Sequence, residues 1–237
     1  MAVIPRLHRS LLAGALLAAC AAAQAFDFAP PPPPMFQGLI VPLHPQGTMA
    51  TAPGSGRSPP TARATTGARA PATLAPAGNQ LGDNARQLAT AFPAAQRSQM
   101  TDAYLQSFET YRKLEHKLGV PSNDVAGAMA AYIAGNYMAL HNVEVPDAHF
   151  QRLVAQMREA LGGQDSFVSA SARQKRQMYE QLAMVGTFMA VARQAFLQNP
   201  NPASEQNFRN AARANLEAAL KQPADGLRLG AQGLSLR

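Results

Sequence analysis

The 237-residue chain has 21 Lys and Arg against 14 Asp and Glu, but the excess of positive charge is not evenly spread. From Asn79 onward, 16 basic residues stand against 13 acidic ones, a balance of +3 that is too small to neutralise a row of phosphates. The sequence therefore predicts no nucleic-acid partner. The single cysteine, Cys20, excludes disulfides within the chain and cysteine-based metal sites.

The first 25 residues have the composition of an export signal. Two arginines precede an apolar run at 10–19, and small residues follow it. Two processing sites overlap: Ala-Gln-Ala at 23–25 fits signal-peptidase cleavage, and Leu-Ala-Ala-Cys at 17–20 fits a lipobox. The prediction is an exported protein, periplasmic or extracellular, with a lipoprotein anchored at Cys20 as the alternative. No apolar stretch reaches the roughly 20 residues of a membrane span, so no transmembrane segment is expected after processing.

Residues 26–78 have the composition of a disordered linker. They are rich in Pro, Ala, Gly, Thr and Ser, with five consecutive prolines at 30–34. Proline lacks a backbone donor and fixes φ, so this stretch favours extended coil over helix or central strand. An apolar island at 35–43 is interpreted either as a docking segment or as ordinary solvated linker.

Residues 79–222 have the apolar spacing of helices, with repeats of three and four residues. The predicted helices cover 83–92, 101–118, 125–141, 147–161, 172–198 and a last segment that ends before Pro223. Ser171 and Gln174 form a capping-box pattern before the longest of them. Because the connections are short, we predict an all-α bundle of five or six mostly antiparallel helices, with 125–141 and 182–192 near its centre.

The C-terminal tail, 223–237, is the only part with a period of two. Leucines alternate with other residues at 227–229 and 234–236. Two interpretations stay open: the leucines lie as a strap over the bundle, or the terminus is frayed.

Two segments of the predicted bundle resemble an uncharacterised family of bacterial exported proteins. Residues 111–136 read YRKLEHKLGVPSNDVAGAMAAYIAGN, and residues 181–190 read QLAMVGTFMA. The resemblance implies a signal peptide, a Pro/Ala-rich linker and a helical domain of unknown function. It implies no activity.

The richest polar cluster in the sequence surrounds the end of the third predicted helix. It contains Asn136, Tyr137, His141, Glu144, Asp147 and His149. The histidine and glutamate at 141 and 144 are spaced as two metal ligands one turn apart, and the later histidine would complete the site. However, the chain breaks between them, and the H-E-x-x-H spacing of zinc proteases is absent. We therefore assign no metal, and helix capping is the simpler interpretation.

Asn136 interrupts the most apolar helix one turn from Tyr132, on a face expected to be buried. A buried amide needs hydrogen-bonding partners, which are either a structural network or a ligand in a cavity between helices. Tyr132, Asn136, Tyr137 and His141 are accordingly the candidate ligand contacts.

Glu109 and Glu115, with Asp102 before them, are the carboxylates that a glycosidase would need. Their spacing on one helix puts the two glutamates on different faces, so all three are expected to be solvated charges. No G-x-S-x-G or S-x-x-K motif is present. The sequence assigns no catalytic residue and no cofactor.

These observations favour an exported, non-catalytic binding module of the bacterial cell envelope, with another envelope protein as its partner. The alternatives are an envelope hydrolase with a pocket near Asn136, Tyr137 and His141, and a carrier of a small apolar ligand. The oligomeric state and the partner's identity stay open.

Overall fold

The computed structural model describes residues 72–236, which form seven α-helices and one small two-stranded sheet. The predicted export signal, Cys20 and the apolar island at 35–43 lie outside the described residues. The helices are α1 (Leu81–Ala89), α2 (Arg97–Leu118), α3 (Val125–His141), α4 (Asp147–Gly162), α5 (Asp165–Val168), α6 (Ala172–Gln198) and α7 (Pro202–Leu220). Short 3-10 turns precede α2 and follow α7, at Ala94–Gln96 and Ala224–Gly226. The prediction of an all-α bundle is confirmed.

The helix ends are set by local side-chain chemistry. Asp124 caps α3 by accepting a hydrogen bond from the backbone N–H of Ala126, and Ser171 and Gln174 form the predicted capping box of α6. Asn201 caps α7, with Pro202 at its first position. One start differs from the prediction: α2 begins at Arg97 rather than near Thr101, because the 3-10 turn after Pro93 leads directly into it.

The centre of the bundle is α3, which packs against α4, α6 and α7 and most extensively against α6. From Val125 to Tyr137 every residue of α3 is buried. Where α3 crosses α6 the two backbones touch, since a Cβ on Gly135 would overlap the carbonyl oxygen of Gly186, and a Cβ on Gly186 would overlap the backbone of Tyr132. Glycine is required at both positions by this close approach.

Aromatic side chains pack between α6 and the helices α2 and α7. Tyr104 on α2 packs against Phe188 on α6 with ring centroids 5.3 Å apart. Phe196 at the end of α6 packs against Phe208 on α7 at 5.2 Å. Such tilted pairs add to the free energy gained by burying the rings.

The described chain packs onto the bundle before its first helix. The backbone N–H of Ala75 donates to the carbonyl oxygen of Asn123 (2.8 Å), and the N–H of Val125 donates to that of Thr73 (3.0 Å). Thr73 and Ala75 are both buried. We call residues 72–75 the N-terminal strap. The prediction that residues 72–75 belong to the linker is wrong, because their composition does not differ from that of the Pro- and Ala-rich residues before them.

The C-terminal tail forms a hairpin of β1 (Leu227–Gly230) and β2 (Gly233–Leu236), which pair in antiparallel fashion. Leu227 and Leu234 are buried, and the side chain of Gln156 on α4 bonds both the N–H and the carbonyl of Leu234 at 2.8 Å. The tail is therefore a strap over the bundle, and the frayed interpretation is wrong for residues 227–236.

None of the helices within residues 72–236 is long and apolar enough to cross a membrane.

We predict that Gly186→Ala lowers the free energy of unfolding by about 3 kcal/mol or more, because the new methyl group can be accommodated only by separating α3 from α6. The matched control is Gly162→Ala at the end of α4, where an added Cβ meets no atom within 4 Å. That variant should change stability by no more than about 1 kcal/mol. Urea denaturation of both variants checks this, and equal effects would contradict the backbone contact.

Candidate functional site

The predicted ligand contact Asn136 is fully buried in α3, and both the nitrogen and the oxygen of its side-chain amide have protein partners. Its Nδ2 donates to the backbone carbonyl of Tyr132 (2.8 Å), and its Oδ1 accepts from Nδ2 of Asn215 on α7 (2.9 Å). The hydroxyl of Tyr132 in turn donates to the backbone carbonyl of Asn215 (3.2 Å). This network joins α3 to α7 and accounts for the polar residue in the most apolar helix.

Tyr137 and His141, the other two predicted contacts, form a separate pair at the end of α3. Their ring centroids are 4.4 Å apart, and His141 is half-buried. Burial and the nearby charge of Arg228 lower the pKa of His141, while Asp225 acts in the opposite direction. Nε2 of His141 has no hydrogen-bond partner within the described part of the chain. None of the four residues lines either of the two concave sites described below.

The remaining polar residues of the predicted cluster are dispersed. The helix ends at His141, Asn142 adopts a left-handed conformation, and Glu144 is exposed in the following loop. Asp147 pairs at the surface with Lys117 (3.3 Å). Across residues 72–236, no group of three or more His, Cys, Asp and Glu residues is arranged to hold a metal ion.

The structure contains buried ionisable residues that the sequence analysis did not identify. Asp124 is fully buried, and its Oδ1 accepts a hydrogen bond from the hydroxyl of Thr73 (2.6 Å). Its Oδ2 accepts from Nε and Nη2 of Arg158 on α4, at 2.8 and 2.7 Å. The residue therefore holds the N-terminal strap, the start of α3 and α4 together. Both nitrogens of Arg158 bind the same oxygen, and the arginine side chain is 34% exposed, so only the carboxylate end of this ion pair is fully buried.

Glu180 on α6 is the centre of a second buried ion pair. Its carboxylate accepts from Nδ2 of Asn84 on α1 (2.6 Å) and from Nε of Arg176 (2.5 Å). Nη1 of Arg176 continues to Oδ1 of Asn123, in the loop before α3 (2.7 Å). These contacts connect α1, α3 and α6 at one end of the bundle.

The prediction that Glu115 is a solvated charge is wrong, whereas Glu109 and Asp102 are exposed as expected. The Glu115 residue is only 2% exposed, and the hydroxyl of Tyr179 donates to its two carboxylate oxygens at 2.9 and 3.0 Å. Burial raises the pKa of Glu115 to about 7 against an ordinary value of 4.5. The sequence signal was present, because Glu115 continues the buried face formed by Tyr104, Phe108 and Tyr111.

Among the concave sites that described residues line, two lie beside α3 and α6. The first, the apolar groove, has a volume of about 150 Å³ and lies over the contact between α3 and α6. Its floor consists of small residues, including Ala134, Gly135 and Gly186, and Phe150 forms part of its wall. Thr187 also lines the groove, and its buried Oγ1 has no hydrogen-bond partner among residues 72–236.

The second site, the arginine cavity, has a volume of about 210 Å³ and lies between the end of α3, the end of α6 and the start of α7. Arg193 and Arg209 line it together with the aromatic pair Phe196 and Phe208. This cavity could not be recognised from the sequence, because its residues lie on both sides of the Asn-Pro-Asn-Pro corner at 199–202.

The fold and these sites define an all-α bundle domain with an apolar groove and a separate arginine-lined cavity. The chain belongs to a family of unknown function, DUF6683, whose model matches residues 44–237. No curated protein and no solved structure matches the chain. Membership confirms the domain of unknown function that the resemblance implied, while export and bacterial origin stay predictions.

We predict that Glu115 makes stability depend on pH in the acid range. Its pKa is about 7 in the folded chain against 4.5 ordinarily, so the folded state binds the proton more tightly. The contribution to stability is therefore full below pH 4.5 and is lost as the pH rises to about 7. Glu115→Gln resembles the protonated form. Its free energy of unfolding should therefore rise by up to about 3 kcal/mol relative to the wild type as the pH increases over that interval.

Denaturation at a series of pH values measures this difference. Glu109→Gln is the matched control, because Glu109 lies exposed on the same helix. A difference between Glu115→Gln and wild type that stays constant with pH would contradict the assignment.

Proposed function

We propose that the chain is an exported, non-catalytic binding module of the bacterial cell envelope, which accepts an apolar segment of another envelope protein in its apolar groove. The observation that carries this proposal is the groove itself. The buried carboxylates at 115, 124 and 180 all have internal partners, whereas the groove leaves apolar surface open.

The chemistry of the groove favours a polypeptide segment as its occupant. The small residues of the floor let a main chain approach closely, and Leu114, Met138 and Phe150 offer apolar contact to its side chains. Asp147 on the rim is already paired with Lys117, so the inserted segment needs no charge of its own.

Export is supported by the composition of the first 25 residues, and the linker after them gives the domain reach. The choice between a cleaved and a lipidated form depends on residues 20–25.

We predict that Ala190→Glu abolishes partner binding, because Ala190 is half-buried in the groove wall and a carboxylate there is incompatible with an apolar occupant. Chemical cross-linking in envelope extracts, followed by mass spectrometry, should identify a protein enriched by the wild type and lost with Ala190→Glu. That protein, once purified, should bind the wild type with at least about tenfold higher affinity than the variant.

The matched control is Ala148→Glu, which places the same charge on an exposed position of α4. Both variants should melt cooperatively. Equal enrichment and equal affinity for wild type and Ala190→Glu would contradict the groove as the binding site. Saturable binding of small apolar molecules, with no protein enriched, would favour the carrier function instead.

We predict that residues 26–71 can be deleted without loss of the fold, while a deletion of 26–78 is destabilising. The longer deletion removes Thr73, which donates to the buried carboxylate of Asp124, and the cost of an unsatisfied group there is about 1–3 kcal/mol. Thermal denaturation of the two variants measures the difference. The shorter variant should also lose recovery of partners, because the linker is proposed to let the domain extend to them. Unchanged recovery would contradict that role of the linker.

The mature N-terminus tests the envelope location directly. Mass spectrometry of the chain recovered from envelope fractions should show a start at Phe26 or a lipidated Cys20. Recovery of the intact chain from the cytoplasm alone would contradict export.

A further inference from the structure

We propose that the arginine cavity binds a small organic acid, with the carboxylate of the ligand on Arg193 and its apolar body against Phe196 and Phe208. The cavity shares no lining residue with the apolar groove, so this site is independent of the proposed function.

The arginine cavity contains a buried charge, that of Arg193. The residue is only 7% exposed, and a guanidinium keeps its charge at any pH at which proteins fold. Among residues 72–236, its one hydrogen bond runs from Nε to the neutral Oδ1 of Asn142 (3.1 Å). No carboxylate of residues 72–236 lies within ion-pair distance of it. A buried charge without a counter-charge is costly, and an anionic ligand would supply what the protein does not.

The other charged groups of the cavity leave its balance positive. Glu205 lies 3.7 Å from Arg209 and also accepts a hydrogen bond from the backbone N–H of Asn201 (3.2 Å). Its negative charge is therefore already used at the start of α7, whose first turn adds partial positive charge of its own. The cavity therefore has two guanidinium groups and a helix N-terminus but only one carboxylate, which is already paired.

The walls of the cavity select the rest of the ligand. The rings of Phe196 and Phe208 pack at 5.2 Å, and Leu197, 48% exposed, lies at the rim. Inorganic anions would make no use of this surface. The planar fork of a guanidinium matches a carboxylate, which it binds with two parallel hydrogen bonds.

The size of the cavity limits the ligand further. At about 210 Å³ it is smaller than the roughly 300–1,000 Å³ pockets that hold drug-sized molecules. It therefore fits an acid with one ring or a short acyl chain.

The test uses the full chain and three probes in isothermal titration calorimetry: 3-phenylpropionate, the neutral alcohol 3-phenylpropanol, and inorganic phosphate. The acid should bind at least about tenfold more tightly than the alcohol and than phosphate, because only it uses both the guanidinium and the aromatic wall. Equal binding of acid and alcohol, or no binding of the acid, would overturn the proposal.

Variants separate a binding role of Arg193 from a structural one. Arg193→Met keeps the length of the side chain without its charge, and it should weaken binding of the acid at least about tenfold while leaving the melting temperature unchanged or raised. Arg193→Lys keeps the charge but loses the fork, and it should bind with intermediate affinity. Arg173→Met, at an exposed position of the same helix, should behave as wild type.

A structural role predicts the opposite pattern. If Arg193 serves only to hold Asn142 at the end of α3, Arg193→Met lowers the melting temperature and Arg193→Lys does not restore affinity. That pattern, or unchanged affinity for the acid in Arg193→Met, would overturn the proposal.

Discussion

The arrangement of the bundle depends on the backbone contact between Gly135 of α3 and Gly186 of α6. Two helices that touch without intervening side chains lie closer than packed leucines would allow, so the surrounding residues must be small or lie to either side. Ala134 precedes Gly135 on α3, and the aromatic pairs Tyr104–Phe188 and Phe196–Phe208 join α6 to α2 and to α7 rather than to α3. The same close approach leaves a shallow depression above the crossing, which is the floor of the apolar groove. The groove is thus a consequence of the packing that holds the core together.

The polar interior follows from the central position of α3. A helix that is buried over almost its whole length cannot send its polar groups to solvent, so they must find partners on neighbouring elements. Asp124 at its start is bonded to Thr73 and Arg158, and Asn136 near its middle is bonded to Asn215. At its end, Oδ1 of Asn142 accepts a hydrogen bond from Arg193, which has no carboxylate partner among residues 72–236. Two of these three positions are closed by the protein, and the third opens into a cavity.

The helices could be predicted from the sequence, whereas most of the polar contacts could not. The bounds of α3 and the capping box of α6 are local features, readable from a few neighbouring residues. Asn136 was recognised because an amide in an apolar helix is conspicuous. The burial of Glu115 and Glu180 was not recognised, because a carboxylate that follows apolar residues at helical spacing can equally lie at the edge of a solvated face. Only the tertiary structure brings Tyr179 to Glu115 and Asn84 to Glu180. The arginine cavity depends on three helix ends that meet in space, for which the sequence carries no periodic signal.

The N-terminal strap determines how a mechanical load would reach the domain. Tension on the chain before residue 72 would act on the two backbone hydrogen bonds of Thr73 and Ala75 and on the hydroxyl contact to Asp124. These bonds are attached to the first residues of the innermost helix rather than to a peripheral one. A domain held to a surface by its linker would therefore transmit a pull straight to its core, where Arg158 anchors Asp124 to α4 and shares the force between two helices.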